Sequence, residues 1–224
     1  MSRFWKITLI LSLLLNAILV AGAAWFIAER GARAVAEDLG VVEPRRPDFA
    51  FIAEERFVGL PSAAAVLIGD SQIEDGPWSE VLERPVANRG LFGATISEIE
   101  STLRGAEPSE AHSVLIWAGT NDAVGGAGPE QIERDMRQLI AAVMSRMPRA
   151  EVFVLSLPPV EWNNESIPRS NQALESAADH EGARWVDVTG ALQGKIAHDG
   201  LHISGEGYQA VGDLLGPMLP GAED

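Results

Sequence analysis

The chain has 224 residues, 46% of them hydrophobic, enough for one ordinary domain with a buried core plus extra segments. Its formal net charge of -15 argues against a nucleic-acid partner and against docking of the domain on anionic lipid, since both need basic patches. It contains no cysteine, which excludes disulfides, thiolate metal sites and a cysteine nucleophile.

Residues 1–6 carry Arg3 and Lys6, and Ile7 to Ala28 follow with no charge and one strongly polar residue, Asn16. At the helical rise this stretch is about 33 Å long, enough to cross a hydrocarbon core. It reads as a transmembrane signal anchor, because Trp25-Phe26-Ile27 prolong the apolar run past Ala21-Gly22-Ala23. The alternative is a signal peptide cleaved at those small residues. The basic N-terminal residues place the N-terminus in the cytoplasm, so the following domain is expected to be extracytoplasmic, or secreted if cleavage occurs. Residues 29–60 read as a linker broken by Pro44-Arg45-Arg46-Pro47, with a lead-in helix over Phe49 to Leu60.

From residue 61 to 220, ahead of a short tail at 221–224, apolar runs alternate with helical periods. Strands are predicted over Ala63 to Ile68, Pro85 to Ala87, His112 to Ala118, Val152 to Leu155 and Arg184 to Val188. Helices are predicted over Pro77 to Leu82, Ile96 to Leu103, Pro129 to Met147 and Asn164 to Glu181. A last helix, capped by Ser204, turns Tyr208, Val211, Leu214, Leu215 and Met218 inward. Near-continuous apolar strands separated by amphipathic helices imply an α/β fold with a central parallel sheet covered on both faces.

In such a sheet the C-terminal ends of all strands lie on one edge, so the loops that follow them share a site. Those loops read Gly69-Asp70-Ser71, then Asn88 to Thr95 with Gly90 and Gly93, then Gly119-Thr120-Asn121-Asp122; Asp199-Gly200-Leu201-His202 precedes the last helix. These four blocks, in this order, resemble the SGNH (GDSL-type) hydrolase family of esterases, lipases and carbohydrate deacetylases, over about Ala63 to Leu219. The resemblance implies a flavodoxin-like three-layer α/β/α sandwich that acts as a carboxylic ester hydrolase. In it, Ser71 matches the nucleophile, Asp199 and His202 the acid and base. The oxyanion hole would take the backbone N–H groups of Ser71 and Gly93 and the side-chain amide of Asn121, with Gly90 as the fallback for Gly93.

The residue types suit that chemistry independently of the family. A serine hydroxyl becomes a useful nucleophile when a neutral imidazole accepts its proton, and a carboxylate three residues before that histidine can fix its tautomer. Asp70 and Asp122 are expected to shape loops rather than move protons. His198 competes with His202 for the base, and the Asp-x-x-His spacing favours His202. Trp117 is expected in the core. Trp78 and Trp162 are either cleft-lining or packing residues, and Leu91, Phe92 and Trp162 suggest an acyl pocket. The loops at Gln72 to Pro77, Val124 to Gly128 and Pro158 to Ile167 complete the expected substrate rim.

An α/β-hydrolase elbow is excluded, because Ile73 stands where its second glycine belongs. Gly90-x-x-Gly93 is only a fragment of a dinucleotide fingerprint, and no histidine or carboxylate cluster has metal-ligand spacing, so no cofactor is expected. The expected function is a membrane-tethered serine esterase acting on short-chain or acetyl esters of glycans or lipids. The alternatives are a non-catalytic envelope binding module and an acyltransferase using the same acyl-enzyme. Acyl length, the alcohol part and oligomeric state lie beyond the sequence.

Overall fold

The computed structural model of the chain describes residues 3–30, 65–104, 108–162 and 165–219. The chain divides into two compact units, residues 1–47 and residues 48–224. In the first, helix α1 (Arg3–Arg30) extends past the expected apolar segment at both ends. It is long and apolar enough, over Phe4–Gly22, to cross a membrane. The linker from residue 31 onward and the lead-in helix expected over Phe49 to Leu60 lie outside the described residues.

The second unit is built on strands β1 (Ala65–Gly69), β2 (Val86–Gly90), β3 (Ser113–Trp117), β4 (Glu151–Leu155) and β5 (Arg184–Val186), all parallel, in the order β2-β1-β3-β4-β5. This is the doubly wound order with its switch point between β1 and β3. The sheet is apolar on both faces because its residues alternate between two cores. Val66, Ile68, Val114, Ile116, Val152 and Val154 face one cluster. The helices of that side are α4 (Ile96–Leu103), α6 (Pro129–Arg146) and α7 (Ser166–Glu181). Leu67, Leu115, Trp117, Phe153 and Leu155 face the other, with α3 (Trp78–Val81) and α8 (Gly205–Leu215). Helix α4 starts at a reciprocal capping box between Thr95 and Glu98, and α8 at Ser204, whose hydroxyl accepts from Gly207 N.

Two short helices lie where the sequence suggests only loops: α2 (Ser71–Glu74) and α5 (Thr120–Val124). Helix α2 forms because the Asp70 carboxylate accepts from Gln72 N and so caps it. Strand β2 runs to Gly90, so Asn88-Arg89-Gly90 belong to the sheet rather than to the following loop. The sheet-edge position admits the polar pair Asn88-Arg89, whose alternation hides the strand in the sequence.

Trp78 lines no cleft. It is 2% exposed, sits edge-on to Trp117 and Tyr208 at centroid distances of 6.0 and 5.4 Å, and donates its indole N–H to Ile73 O. Trp162, by contrast, is 59% exposed. Trp78→Ala is therefore expected to lower the free energy of unfolding by about 3–5 kcal/mol in urea titration. Trp162→Ala is expected to stay within about 0.5 kcal/mol of the parent.

Candidate functional site

Ser71 is the first residue of α2, directly beyond the end of β1. Its Oγ lies 2.9 Å from His202 Nε2, and His202 Nδ1 lies 2.6 Å from Asp199 Oδ2. The structure thus brings together the three residues expected to act as nucleophile, base and acid. With Nδ1–H directed at the carboxylate, a neutral imidazole presents Nε2 as an acceptor for the serine proton. The other Asp199 oxygen accepts from Leu201 N and His202 N, both at 3.0 Å. The hydrogen bond from the His202 ring, with these backbone donors behind it, holds the Asp199 carboxyl down at about 2. It is therefore a carboxylate throughout the neutral range.

The loop bearing Asp199 and His202 is closed on itself. Ile196 and Ile203 form an antiparallel bridge, Ala197 N donates to His202 O at 2.7 Å, and Ser204 N to Lys195 O at 2.8 Å. Gly200 takes the turn at φ 70°, a conformation that favours glycine. His198, the rival base, is exposed and forms no part of the Ser71–His202–Asp199 chain.

Gly93 follows β2 at φ 74°, and a Cβ built on it would meet no atom of the described residues within 4 Å. Neither the Ser71 nor the Gly93 N–H has an acceptor among the described residues. The Asn121 amide donates to Ala94 O at 2.9 Å, which ties α5 to the Gly93 loop and leaves a second amide hydrogen without a partner among those residues. Gly90, the fallback, serves the fold instead. It ends β2, and a Cβ there would stand 2.1 Å from Glu74 N.

Asp70 and Asp122 shape the loops. Asp70 caps α2, and Asp122 Oδ2 accepts from Ile96 N at 3.0 Å, fixing the start of α4. Burial, with Asp122 nearby, pushes the Asp70 carboxyl up to about 7, and burial pushes Asp122 up to about 6. Leu91 does not line an acyl pocket, because it is 1% exposed and belongs to the core. Phe92 is 56% exposed and stacks on the His202 ring at 6.2 Å and 20°. Trp162 Cδ1 comes within 3.3 Å of where a Cβ on Gly200 would sit. Both exposed aromatics thus border the histidine loop. A cavity of about 390 Å³ lined by Val160, Ile167, Trp185 and Asp187 opens beside β4 and β5, and none of Ser71, Asp199 and His202 lines it.

Sequence reasoning missed two contacts. The Glu74 carboxylate accepts from Phe92 N, holding the residue before Gly93. Gln72, expected on the substrate rim, is instead buried and bonded to the His202 loop. A polar residue in a predicted turn carries no local sign of such a partner.

The raised Asp70 carboxyl has a measurable consequence. Between about pH 3.8 and 7 the folded chain keeps this proton while the unfolded chain has released it, so Asp70 makes stability fall as pH rises. Asp70→Asn keeps an oxygen for Gln72 N and removes the titration. Its gain in unfolding free energy over the parent should grow from pH 4 to pH 7 and level off above, as read by urea unfolding at each pH.

Comparison with known proteins agrees with this architecture. A Streptococcus pneumonia protein provisionally described as a platelet activating factor superposes with a TM-score of 0.72 at 23% identity, covering 85% of this chain and 100% of that one. Est24, a carbohydrate acetylesterase from Sinorhizobium meliloti, superposes with a TM-score of 0.56 at 18% identity over 69% of this chain and 96% of that one. The M. Smegmatis aryl esterase gives 0.57 at 20% identity over 69% and 96%. No protein of curated function matches the sequence. Residues 68–210, from the end of β1 into α8, match the GDSL-like Lipase/Acylhydrolase family. With that match spanning most of the chain, the protein belongs to the GDSL-like lipase/acylhydrolase family.

Proposed function

We propose that the protein is a serine esterase that hydrolyses short acyl esters through Ser71. The observation that carries this reading is the continuous chain from Ser71 Oγ through His202 to Asp199, at 2.9 and 2.6 Å. His202 Nε2 takes the hydroxyl proton as Ser71 Oγ bonds to the ester carbonyl carbon, and Asp199 stabilises the resulting imidazolium. The carbonyl oxygen, now negative, is received by the N–H groups of Ser71 and Gly93 and by the Asn121 amide. Collapse of the tetrahedral intermediate breaks the bond to the alcohol oxygen, which leaves with the proton from Nε2. Water then attacks the acyl carbon, giving a proton to His202 Nε2, and the bond to Ser71 Oγ breaks as His202 returns that proton to the serine oxygen and the acid is released.

The exposed Phe92 and Trp162, with no described residue crowding Gly93, favour a small acyl group entering from solvent over a long chain held in a tunnel. The acetylesterase and aryl esterase among the structural relatives support the same substrate class. Helix α1 would tether the domain to a membrane, with the catalytic unit outside the cytoplasm and able to reach acylated glycans or lipids there.

Full-length protein in detergent should hydrolyse p-nitrophenyl acetate faster than the corresponding long-chain ester. Ser71→Ala should lower kcat by at least about 10³-fold, and Asn121→Ala by about 10²–10³-fold. Retained hydrolysis in folded Ser71→Ala would refute the proposal.

A further inference from the structure

Gln72 follows Ser71 on α2, and its whole side-chain amide is engaged by the loop that carries His202. Its Nε2 donates to Leu201 O at 3.1 Å, and its Oε1 accepts from Ile203 N at 3.3 Å. The two backbone groups that bracket His202 thus share one primary amide, which pairs with them as a neighbouring strand would. The side chain is 1% exposed, so water offers these groups no ready substitute.

The other contacts of this loop do different work. The Ile196–Ile203 bridge, the Ala197–His202 hydrogen bond and the Asp199 side chain set the shape of the loop itself. Glu161 N donates to Gly200 O from the loop after β4, and Ile203 is anchored in the apolar core below. Those contacts hold the loop to the domain. Gln72 joins it to the short helix that bears Ser71, through the residue next to Ser71. Helix α2 is in turn fixed by the Asp70 carboxylate on Gln72 N, so side chain and main chain of one residue are held from opposite ends.

We propose that Gln72 is a positioning residue that sets the distance and angle between Ser71 Oγ and His202 Nε2. The inference rests on the serine-esterase reading above. Ser71 and His202 are 131 positions apart, so no local chain geometry maintains their 2.9 Å contact. Proton transfer in the transition state is sensitive to that separation, and a displacement of about 1 Å can cost about 10²-fold in rate. Gln72 is too buried to touch a substrate, so loss of the clasp should appear in kcat and leave KM nearly alone.

Two variants of the full-length protein test this, with p-nitrophenyl acetate as substrate and Ser71→Ala assayed beside them. Gln72→Leu removes both hydrogen bonds and should lower kcat by about 10- to 100-fold, with KM within about threefold of the parent. The downfield Nδ1 proton signal of His202 in the NMR spectrum should broaden or shift. Gln72→Glu keeps the acceptor for Ile203 N but can donate to Leu201 O only while protonated. Its kcat relative to the parent should therefore fall as pH rises, which a residue with a purely packing role would not produce. If Gln72→Leu fails to fold, this ratio decides the matter, and a flat ratio across pH overturns the proposal. A Gln72→Leu enzyme with parental kcat and an unchanged Nδ1 signal also overturns it, provided Ser71→Ala is inactive. Full activity in Ser71→Ala would instead remove the serine-esterase reading itself, whatever Gln72 does.

Discussion

The close passage of β1 against β3 at the C-terminal edge of the sheet sets the position of everything in the site. Gly69 lies opposite Trp117 in the parallel register, and a Cβ on residue 69 would stand 2.1 Å from Trp117 O and 2.5 Å from the Ile73 side chain. Glycine is required there by this contact, since the backbone conformation itself is not left-handed. The absence of a side chain lets Asp70 N reach Trp117 O at 3.2 Å, and the chain then turns straight into α2. Ser71 leaves the sheet at the point where the strand order reverses, between β1 and β3, where open α/β sheets present their ligands.

That turn is stabilised by a group that is itself poorly accommodated. Asp70 is buried, one of its oxygens caps α2, and the other has no hydrogen-bond partner among the described residues. A second buried carboxyl, Asp122, braces α4 from the loop of Asn121. The raised proton affinities of both follow from burial, and Asp122 adds to that of Asp70. Local rules that disfavour buried acids are broken here, beside Ser71, the proposed nucleophile, and the amide of the proposed oxyanion hole, and obeyed in the apolar faces of the sheet. Such conflicts concentrate where a chain holds geometry for chemistry.

The core of the fold was legible in the sequence because burial leaves a periodic trace. The runs at Val66, Val114 and Val152, and the helical period from Ile132 to Val143, correspond to strands and a helix buried as expected. Polar elements left no such trace. Helices α2 and α5 are single turns held by Asp70 and Gly119, too short to show a period. The end of β2 was hidden by Asn88 and Arg89. Trp78 and Leu91 read as well in a cleft as in a core, and only their neighbours, Trp117 and Tyr208 for the first and the β-sheet cluster for the second, place them inside.

For the site, the loops after the strands and their resemblance to the family's four blocks pointed to Ser71, Gly93, Asn121, Asp199 and His202, and the chemistry of each residue type suits the role that the resemblance implies. The Asp199–His202 pair is three residues apart, so its contact was within reach of local reasoning. What joins Ser71 to His202 was not. A contact across 131 residues depends on which strand ends lie side by side, and on a buried glutamine amide that meets the backbone on both sides of the histidine. Sequence by itself determined the α/β class with its parallel sheet and named the candidate reacting groups, because burial and chemical type are properties of residues. Only the tertiary structure decided how Gly69-Asp70-Ser71 becomes a turn with a partner, because distance between remote residues is a property of packing.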